Sequence, residues 1–361
     1  MTQAVYKRVA ILGLGLIGGS VARALAEKGL ATHIAAYNHS ERALDYALKT
    51  GFIHSAHQTA GEAVKDADIV VLATPPQAFA GLMQEIAIEL KPGAIVTDVG
   101  SVKQSAIAAI MPYLPPHAHY VPAHPIAGSE KTGAEASAAS LFSGKKVILT
   151  PEEADLRSEP VNEVRDFWER IGAKVEFMPA ALHDLIYAYV SHLPQAVAFA
   201  VAPLIDRAVT DDKYVRFTRL TRSDAALWAD IYIENADCVG HAIDDLLRFT
   251  MQIHGELKAN PPGEGEAGNP AMLFAALIGA CLIATASLLQ EQAGINPVRY
   301  AGTGFADMTA ARMDDPQLLL SKVSAANHTI APLLGQMIAR LQQVRNVLAQ
   351  KDKQALTSAL Q

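Results

Sequence analysis

A chain of 361 residues and 38.4 kDa is long enough for roughly two or three packed domains around sizeable cores. Half of its residues are hydrophobic, 19% are charged and mean hydropathy is +0.16, a balance that excludes long disorder. A net charge of −7, from 30 Lys and Arg against 37 Asp and Glu, excludes the electrostatic footprint of a nucleic-acid or anionic-lipid binder. Two cysteines, Cys238 and Cys281, cannot make a disulfide framework, and the start MTQAVYKRV lacks a charged head followed by an apolar run and cleavage site. The expected location is the cytoplasm.

From Arg8 to about Met178, short apolar runs alternate with amphipathic stretches. Strands are expected at Val9–Leu12, His33–Tyr37, Ile69–Ala73, Ala94–Asp98, Tyr120–Ala123, Lys146–Leu149 and Lys174–Phe177, with helical segments such as Ser20–Lys28, Glu41–Thr50, Ala78–Leu90 and Asn162–Ile171 between them. That alternation predicts βαβ units, and so a mostly parallel, doubly wound sheet with helices on both faces. After Pro179 the strand signal stops and the chain reads helical to its end. The fold class expected is therefore α/β plus all-α: a dinucleotide-binding domain over residues 1–180, a helical domain over 181–260, a Pro- and Gly-rich linker at 261–270 and a second helical segment over 271–361. Leu185–Ile205 and Ala271–Gln290 are each about twenty residues without a charged side chain, long enough to cross a bilayer. Their small and polar residues (Ser191, His192, Pro194 and Gln195; Gly279, Thr285 and Ser287) read instead as central helices of a large helical core, and no membrane association is expected.

The first strand runs into Gly13-Leu-Gly15-Leu16-Ile17-Gly18-Gly-Ser20 and then a helix. Gly-x-Gly-x-x-Gly in that context specifies a dinucleotide. Gly13 makes the tight turn, Gly15 admits a pyrophosphate to the backbone, Gly18 allows close helix–strand packing, and the amides around Leu16 and Ile17 supply the positive end of the helix dipole. The fold is thus Rossmann-like. At the end of the second strand, where a carboxylate would accept from the adenosine ribose, stand Asn38, His39 and Ser40, with Arg42 just beyond. These donors suit a 2′-phosphate, so NADP is preferred over NAD.

Ligands of such sheets lie outside the carboxyl ends of the strands. Thr74-Pro75 follows the fourth strand and shapes the wall beside the cofactor. Asp98-Val-Gly-Ser101-Val-Lys103 follows the fifth, with Ser101 readable as a helix cap or a site hydroxyl. His124-Pro-Ile-Ala-Gly-Ser129-Glu130 follows the sixth and places an imidazole where a hydroxyl proton must be taken as hydride leaves the same carbon. No metal is expected.

In the helical half, Phe217-Thr-Arg-Leu-Thr-Arg-Ser-Asp-Ala-Ala-Leu-Trp228 and Met308-Thr-Ala-Ala-Arg-Met-Asp-Asp-Pro-Gln-Leu-Leu319 each follow an uncharged helix. Thr218, Asp224 and Asn235 then fall opposite Thr309, Asp315 and Asn327 at offsets of 91, 91 and 92 residues. Residues 271–361 read as a degenerate second copy of 181–260.

The order of Gly-Leu-Gly-Leu-Ile-Gly-Gly-Ser (13–20), Asp-Val-Gly-Ser-Val-Lys (98–103), His-Pro-Ile-Ala-Gly-Ser-Glu (124–130), Ser-His-Leu-Pro (191–194) and Thr-Arg-x-x-x-Ser-Asp-x-x-Leu-Trp-x-Asp-Ile (218–231) resembles the prephenate/arogenate (cyclohexadienyl) dehydrogenase family of tyrosine biosynthesis, over roughly residues 5–258. The resemblance implies oxidative decarboxylation of a cyclohexadienol to 4-hydroxyphenylpyruvate or tyrosine with NAD or NADP. By it, His124 is the catalytic histidine, and Ser101 orients the ring hydroxyl beside the cofactor. His192 is a second active-site histidine, and Arg219 holds a substrate carboxylate. Glu130, next to Ser129, is the acidic residue at the pocket entrance. This chain departs from the pattern before Arg219, where Tyr214-Val-Arg-Phe217 replaces a Gly-Phe-Arg-Asp-like run. A similar run, Gly304-Phe305-Ala306-Asp307, occurs in the second copy, which carries Ala310 in place of the arginine and no histidine matching His192. Relatives dimerise through their helical domains, so the second copy either fills the partner's place within one chain or enlarges a homodimer interface. Two other readings stay open: a hydroxy-acid dehydrogenase or imine reductase, for which Lys103 is the obvious lysine, and a non-catalytic dinucleotide sensor.

Overall fold

The computed structural model describes residues 5–128, 131–260, 262–263, 266 and 268–361, and divides into two compact units, Met1–His183 and Asp184–Gln361. In the first, six parallel strands run β3-β2-β1-β4-β5-β6: β1 Tyr6–Leu12, β2 Ala31–Tyr37, β3 Ser55–His57, β4 Ile69–Leu72, β5 Ile95–Asp98 and β6 His119–Val121. Strand β1 is central, with Val9 opposite Ile34 of β2 and Leu12 opposite Leu72 of β4. Successive side chains of a strand point to opposite faces, and both faces here are apolar. Val9, Ile11, Ile34, Ile69 and Val71 pack with helices Leu16–Glu27, Glu41–Lys49 and Glu159–Arg170, whereas Ala10, Leu12, Val70, Leu72 and Val96 pack with Ala60–Val64, Phe79–Ile86 and Lys103–Ile110. A sheet covered on both sides needs the continuous apolar runs by which these strands are read in the sequence.

Two details differ from the sequence expectation. Strand β3 at the sheet edge carries Ser-Ala-His and has no apolar run to announce it. The strand expected at Tyr120–Ala123 is two: β6 ends at Val121, and β7 (Ala123–Pro125) joins a second sheet with β8 (Lys146–Leu149) and β9 (Lys174–Phe177). Pro122, between them, has no N–H to continue the first ladder, and its carbonyl accepts from the Thr150 amide at 3.1 Å. His124 therefore lies inside β7, opposite Ile148 of the antiparallel β8, rather than in a loop.

The second unit is helical. Its two long apolar stretches, Ala180–Leu204 (which begins four residues inside the first unit) and Pro270–Glu291, are 83% and 67% buried over their most apolar windows, as core helices are. Both halves of the unit show the same order of elements: a long apolar helix, a short helix (Asp212–Thr218; Thr303–Met308), a ten-residue helix (Ala225–Glu234; Pro316–Ala325) and a 24-residue helix (Ala236–Ala259; Asn327–Gln350). The caps match as well. Asp224 accepts from the amides of Ala226 and Leu227, and Asp315 from those of Gln317 and Leu318. Helices Ala236–Ala259 and Asn327–Gln350 pack antiparallel, with Arg345 forked onto Asp244 beside Gly240 and His254 lying over Gly335. Packing between the halves is reciprocal: Leu193–Val201 lies on Asn327–Gln350, Pro270–Ala293 lies on Ala236–Ala259, and the two short helices touch.

Candidate active site

The Gly-rich turn is built by close approach. Gly13 has φ +104°, and a Cβ there would stand 2.5 Å from the carbonyl oxygen of Ala73; one on Gly18 would stand 2.0 Å from that of Gly13. Neither position admits a side chain. At Gly15, which precedes helix Leu16–Glu27, a Cβ would meet nothing within 4 Å, so this backbone faces open space at the helix's positive end. Leu16 and Ile17 are half-exposed on its first turn. Thr74 closes the other side, with its methyl 3.0 Å from the Gly13 Cβ position and its Oγ1 buried without a hydrogen-bond partner among the described residues; Pro75 beside it is exposed. A glycine cradle at a helix N-terminus with an unsatisfied hydroxyl at its rim fits a dinucleotide pyrophosphate.

At the end of β2, Asn38 accepts from the Leu14 amide at 2.9 Å and donates to the Ser40 carbonyl, so its carboxamide braces the glycine turn. Ser40 caps helix Glu41–Lys49, accepting from the Ala43 amide. His39 is exposed with Nδ1 3.4 Å from the Tyr37 hydroxyl, and Arg42, its side chain 86% exposed, pairs with Glu135 at 3.0 Å.

The Ser101 and His124 motifs are joined by a buried ion pair. Asp98 and Lys103 have no exposed side-chain surface, and the Lys103 ammonium donates to Asp98 Oδ2 and, at 2.6 Å, to the Ala123 carbonyl. Asp98 also accepts from the Gly100 amide (2.8 Å), the Tyr120 hydroxyl (2.9 Å) and the Ala123 amide (3.1 Å). Burial, with the Asp98 charge beside it, pushes the Tyr120 hydroxyl far above its ordinary range, so it stays a donor. One pair thus fixes the segment three residues before Ser101 to the residue before His124. Two sequence readings are corrected here. Ser101 is not a helix cap: the helix begins at Lys103, with Val102 at the cap position. Lys103 is no approaching lysine, because its ammonium is committed inside the protein, and this removes the residue that an imine reductase or hydroxy-acid dehydrogenase reading would use.

Half-buried His124 has a partner that its sequence motif does not announce. Its Nδ1 lies 2.8 Å from Nε2 of fully buried His183, the rings edge to face. Two imidazoles at that distance share one proton. With His124 Nδ1–H as donor and His183 as acceptor, Nε2 of His124 carries the lone pair of a base. Ser129 and Glu130 lie outside the described residues.

In the second unit, Pro194 would clash with the preceding turn of its helix, and the π-helical turn Ala188–His192 makes the room. His192 closes that turn, buried, its carbonyl taking the Tyr232 hydroxyl at 3.1 Å. Asn235 Nδ2 donates to the Asp184 carbonyl and lies 3.3 Å from His192 Nδ1. Buried Gln195, one turn on, donates to the Leu220 carbonyl and accepts from the Ser223 hydroxyl, fixing the turn Arg219–Arg222. Arg219 Nε donates to Asp307 Oδ2 at 2.6 Å and Arg216 Nε to Oδ1 at 3.0 Å, whereas Arg222 is exposed.

A doubly wound sheet with this glycine cradle, followed by a helical unit bearing histidine and arginine, defines a nicotinamide-dinucleotide-dependent oxidoreductase. Comparison with known proteins narrows the class. The profile "Prephenate dehydrogenase, nucleotide-binding domain" matches residues 21–177, and "Prephenate dehydrogenase, dimerization domain" matches both 179–263 and 269–361. The chain belongs to the prephenate dehydrogenase family, whose oxidative decarboxylation serves tyrosine biosynthesis. It is 34% identical over 263 residues to the cyclohexadienyl dehydrogenase of Zymomonas mobilis (69% of this chain, 89% of that one). It is 30% identical over 251 residues to the prephenate dehydrogenase of Bacillus subtilis (66% and 67%). The Aquifex aeolicus prephenate dehydrogenase, solved with hydroxyphenyl propionate and NAD+, superposes with a TM-score of 0.62 at 33% identity, covering 70% of this chain and 91% of that one.

Proposed function

We propose that the chain oxidatively decarboxylates prephenate, arogenate or both, with NADP as preferred cofactor, in the cytoplasm. The observation that carries this reading is the buried Asp98–Lys103 pair, which draws the Ser101 and His124 segments together beside the sheet's carboxyl edge. The bound cofactor supplies a hydride acceptor. His124 takes the ring-hydroxyl proton through Nε2 as that carbon is oxidised, Ser101 orients the hydroxyl, His192 and the Ser129–Glu130 segment complete the polar surroundings, and Arg219 holds a carboxylate with its planar fork. The ketone so formed is conjugated to the carbon bearing the other carboxylate. The electrons of that C–C bond enter the ring, CO₂ leaves, and the oxygen regains a proton from His124 as a phenol. Aromatisation makes the step irreversible.

The test is to supply prephenate and arogenate separately, each with NAD and with NADP, and to follow absorbance of the reduced nicotinamide. Turnover of at least one acid is expected, with the higher kcat/KM for NADP because the end of β2 carries Asn38, His39 and Ser40 in place of a ribose-binding carboxylate, with Arg42 just beyond. No turnover of either acid overturns the reading, and a strong NAD preference overturns only its cofactor part.

Reciprocal packing of the helical halves supports a single-chain pseudo-dimer, in which residues 271–361 stand where a partner's helical domain would. Sedimentation at a mass near 38.4 kDa is expected; twice that mass favours the homodimer.

A further inference from the structure

The end of β2 carries no carboxylate of its own, yet the fold delivers one there. Glu135 stands in the short turn Ala134–Ala136 beyond β7, and its Oε1 accepts from the Arg42 guanidinium at 3.0 Å. That turn is locked to helix Leu16–Glu27. The Ala138 amide donates to Ser20 Oγ at 3.0 Å, Arg23 Nε donates to Ser137 Oγ at 2.7 Å, and a Cβ on Gly19 would stand 2.9 Å from that of Ser137. Ala134 is fully buried, and Gly133, at φ +88°, turns the backbone so that the Glu135 carboxylate lies 3.1 Å from where a Cβ at 133 would be. The Glu135 backbone amide, and then Arg42, hold this carboxyl below its ordinary range, so it is an anion at neutral pH. Asn38 is turned to the glycine-rich turn and Ser40 to its helix cap, which leaves Arg42 to offer a phosphate a full positive charge. An exposed ion pair adds little to stability, so Arg42 can exchange partners. The pair as a whole is neutral. A ribose 2′-hydroxyl beside it meets no net charge, whereas a 2′-phosphate, with about 1.5–2 negative charges, meets the Glu135 anion along with the Arg42 cation.

We infer that Glu135 is a cofactor-specificity residue: by holding Arg42 at the end of β2, it opposes the 2′-phosphate of NADP and leaves NAD usable. The carboxylate that discriminates between the two cofactors then comes from a turn 93 residues beyond Arg42 in the chain, and not from β2 itself. The inference rests on the proposed reading of Arg42 as the cation for the cofactor's 2′ position, and the experiment separates the two.

Dissociation constants of NADPH and NADH are measured by the fluorescence of the bound reduced nicotinamide for the full chain and its Arg42→Ala, Glu135→Gln and Glu135→Asp variants, with thermal midpoints recorded alongside. Arg42→Ala is expected to weaken NADPH about tenfold or more, the loss of a charge-assisted contact, and NADH by less than about threefold. Glu135→Gln is expected to tighten NADPH about three- to tenfold with NADH within about twofold, the effect of removing one exposed charge of like sign. Glu135→Asp keeps the charge on a shorter stem, and its ratio of the two dissociation constants should fall between wild type and Glu135→Gln. If Glu135→Asp shifts that ratio as far as Glu135→Gln does, charge is not the cause and the inference fails. Unchanged NADPH affinity in Arg42→Ala removes the reading of Arg42 and the inference together. Weakened NADPH in Arg42→Ala with an unchanged ratio in Glu135→Gln removes the inference alone, as does a loss of about tenfold in NADH affinity in Glu135→Gln, which would make the carboxylate a direct ribose acceptor.

Discussion

His124→Asn is expected to lower kcat about 10²- to 10⁴-fold, the usual worth of a positioned general base, while KM stays within about threefold. Asparagine preserves the polarity and approximate bulk of a half-buried site, so the fold is retained and the loss is chemical. The geometry behind the number is the 2.8 Å contact with His183. With Nδ1–H donating to buried His183, the contact fixes both the ring plane and the tautomer and leaves Nε2 as the base. When that nitrogen takes the substrate proton, the imidazolium keeps its Nδ1–H bond, and no rearrangement accompanies the transfer. His183→Phe should consequently reduce kcat as well, by about ten- to a hundredfold, the range found when the partner that orients a functional imidazole is removed. Stopped-flow measurement of the hydride-transfer burst for both variants checks this. A kcat within tenfold of wild type for His124→Asn sinks the assignment; normal turnover in His183→Phe alone confines His183 to packing.

How much of this is legible in the sequence depends on the range of the interaction. The central strands declare themselves because a sheet buried on both faces demands uninterrupted apolar runs, and Gly13, Gly15 and Gly18 because a close backbone approach tolerates nothing larger. Strand β3 does not, since a short edge strand owes its pairing to β2 rather than to its own pattern. The switch of sheets at Pro122 is visible only as a proline. His183 is hidden for another reason: it begins a helical run like many histidines, and only the tertiary fold sets it against a residue 59 positions earlier. Asp307 leaves a faint trace, the acid that is missing before Arg219 and present in the second half. What the sequence cannot carry is the fact that the two meet 88 residues apart, because that follows from how two similar helical hairpins interlock. Lys103 shows the converse error. Its position after a strand and near a helix start reads as reactive, and its complete burial against Asp98 makes it structural.

That burial leads to the other large expected effect. Asp98→Asn is expected to cost about 3–5 kcal/mol, because removing one partner of a buried ion pair leaves the other charge uncompensated away from water. Asparagine has one acceptor oxygen: at the Oδ1 position it still accepts from the Tyr120 hydroxyl and the Ala123 amide but turns an N–H toward the Lys103 ammonium, at the Oδ2 position it faces the ammonium but turns its N–H toward those two donors, and in neither arrangement is the full charge balanced. At about 2–4 °C per kcal/mol for a domain of this size, the thermal midpoint should fall by about 10 °C. Replacing both partners, as in Asp98→Asn with Lys103→Met, removes the unbalanced charge and should recover most of that loss, since neutral substitutes for a buried pair are often tolerated. Activity should not recover with it. The ammonium also holds the Ala123 carbonyl, and through it the setting of His124 relative to Ser101, so the double variant should be nearly as stable as wild type and about tenfold or more slower in kcat. Scanning calorimetry and steady-state assays on the same preparations distinguish the two effects. An Asp98→Asn midpoint within about 2 °C of wild type contradicts the energetic argument, whereas a double variant of wild-type kcat separates the pair from the chemistry and leaves it a purely structural clamp between β5 and β7.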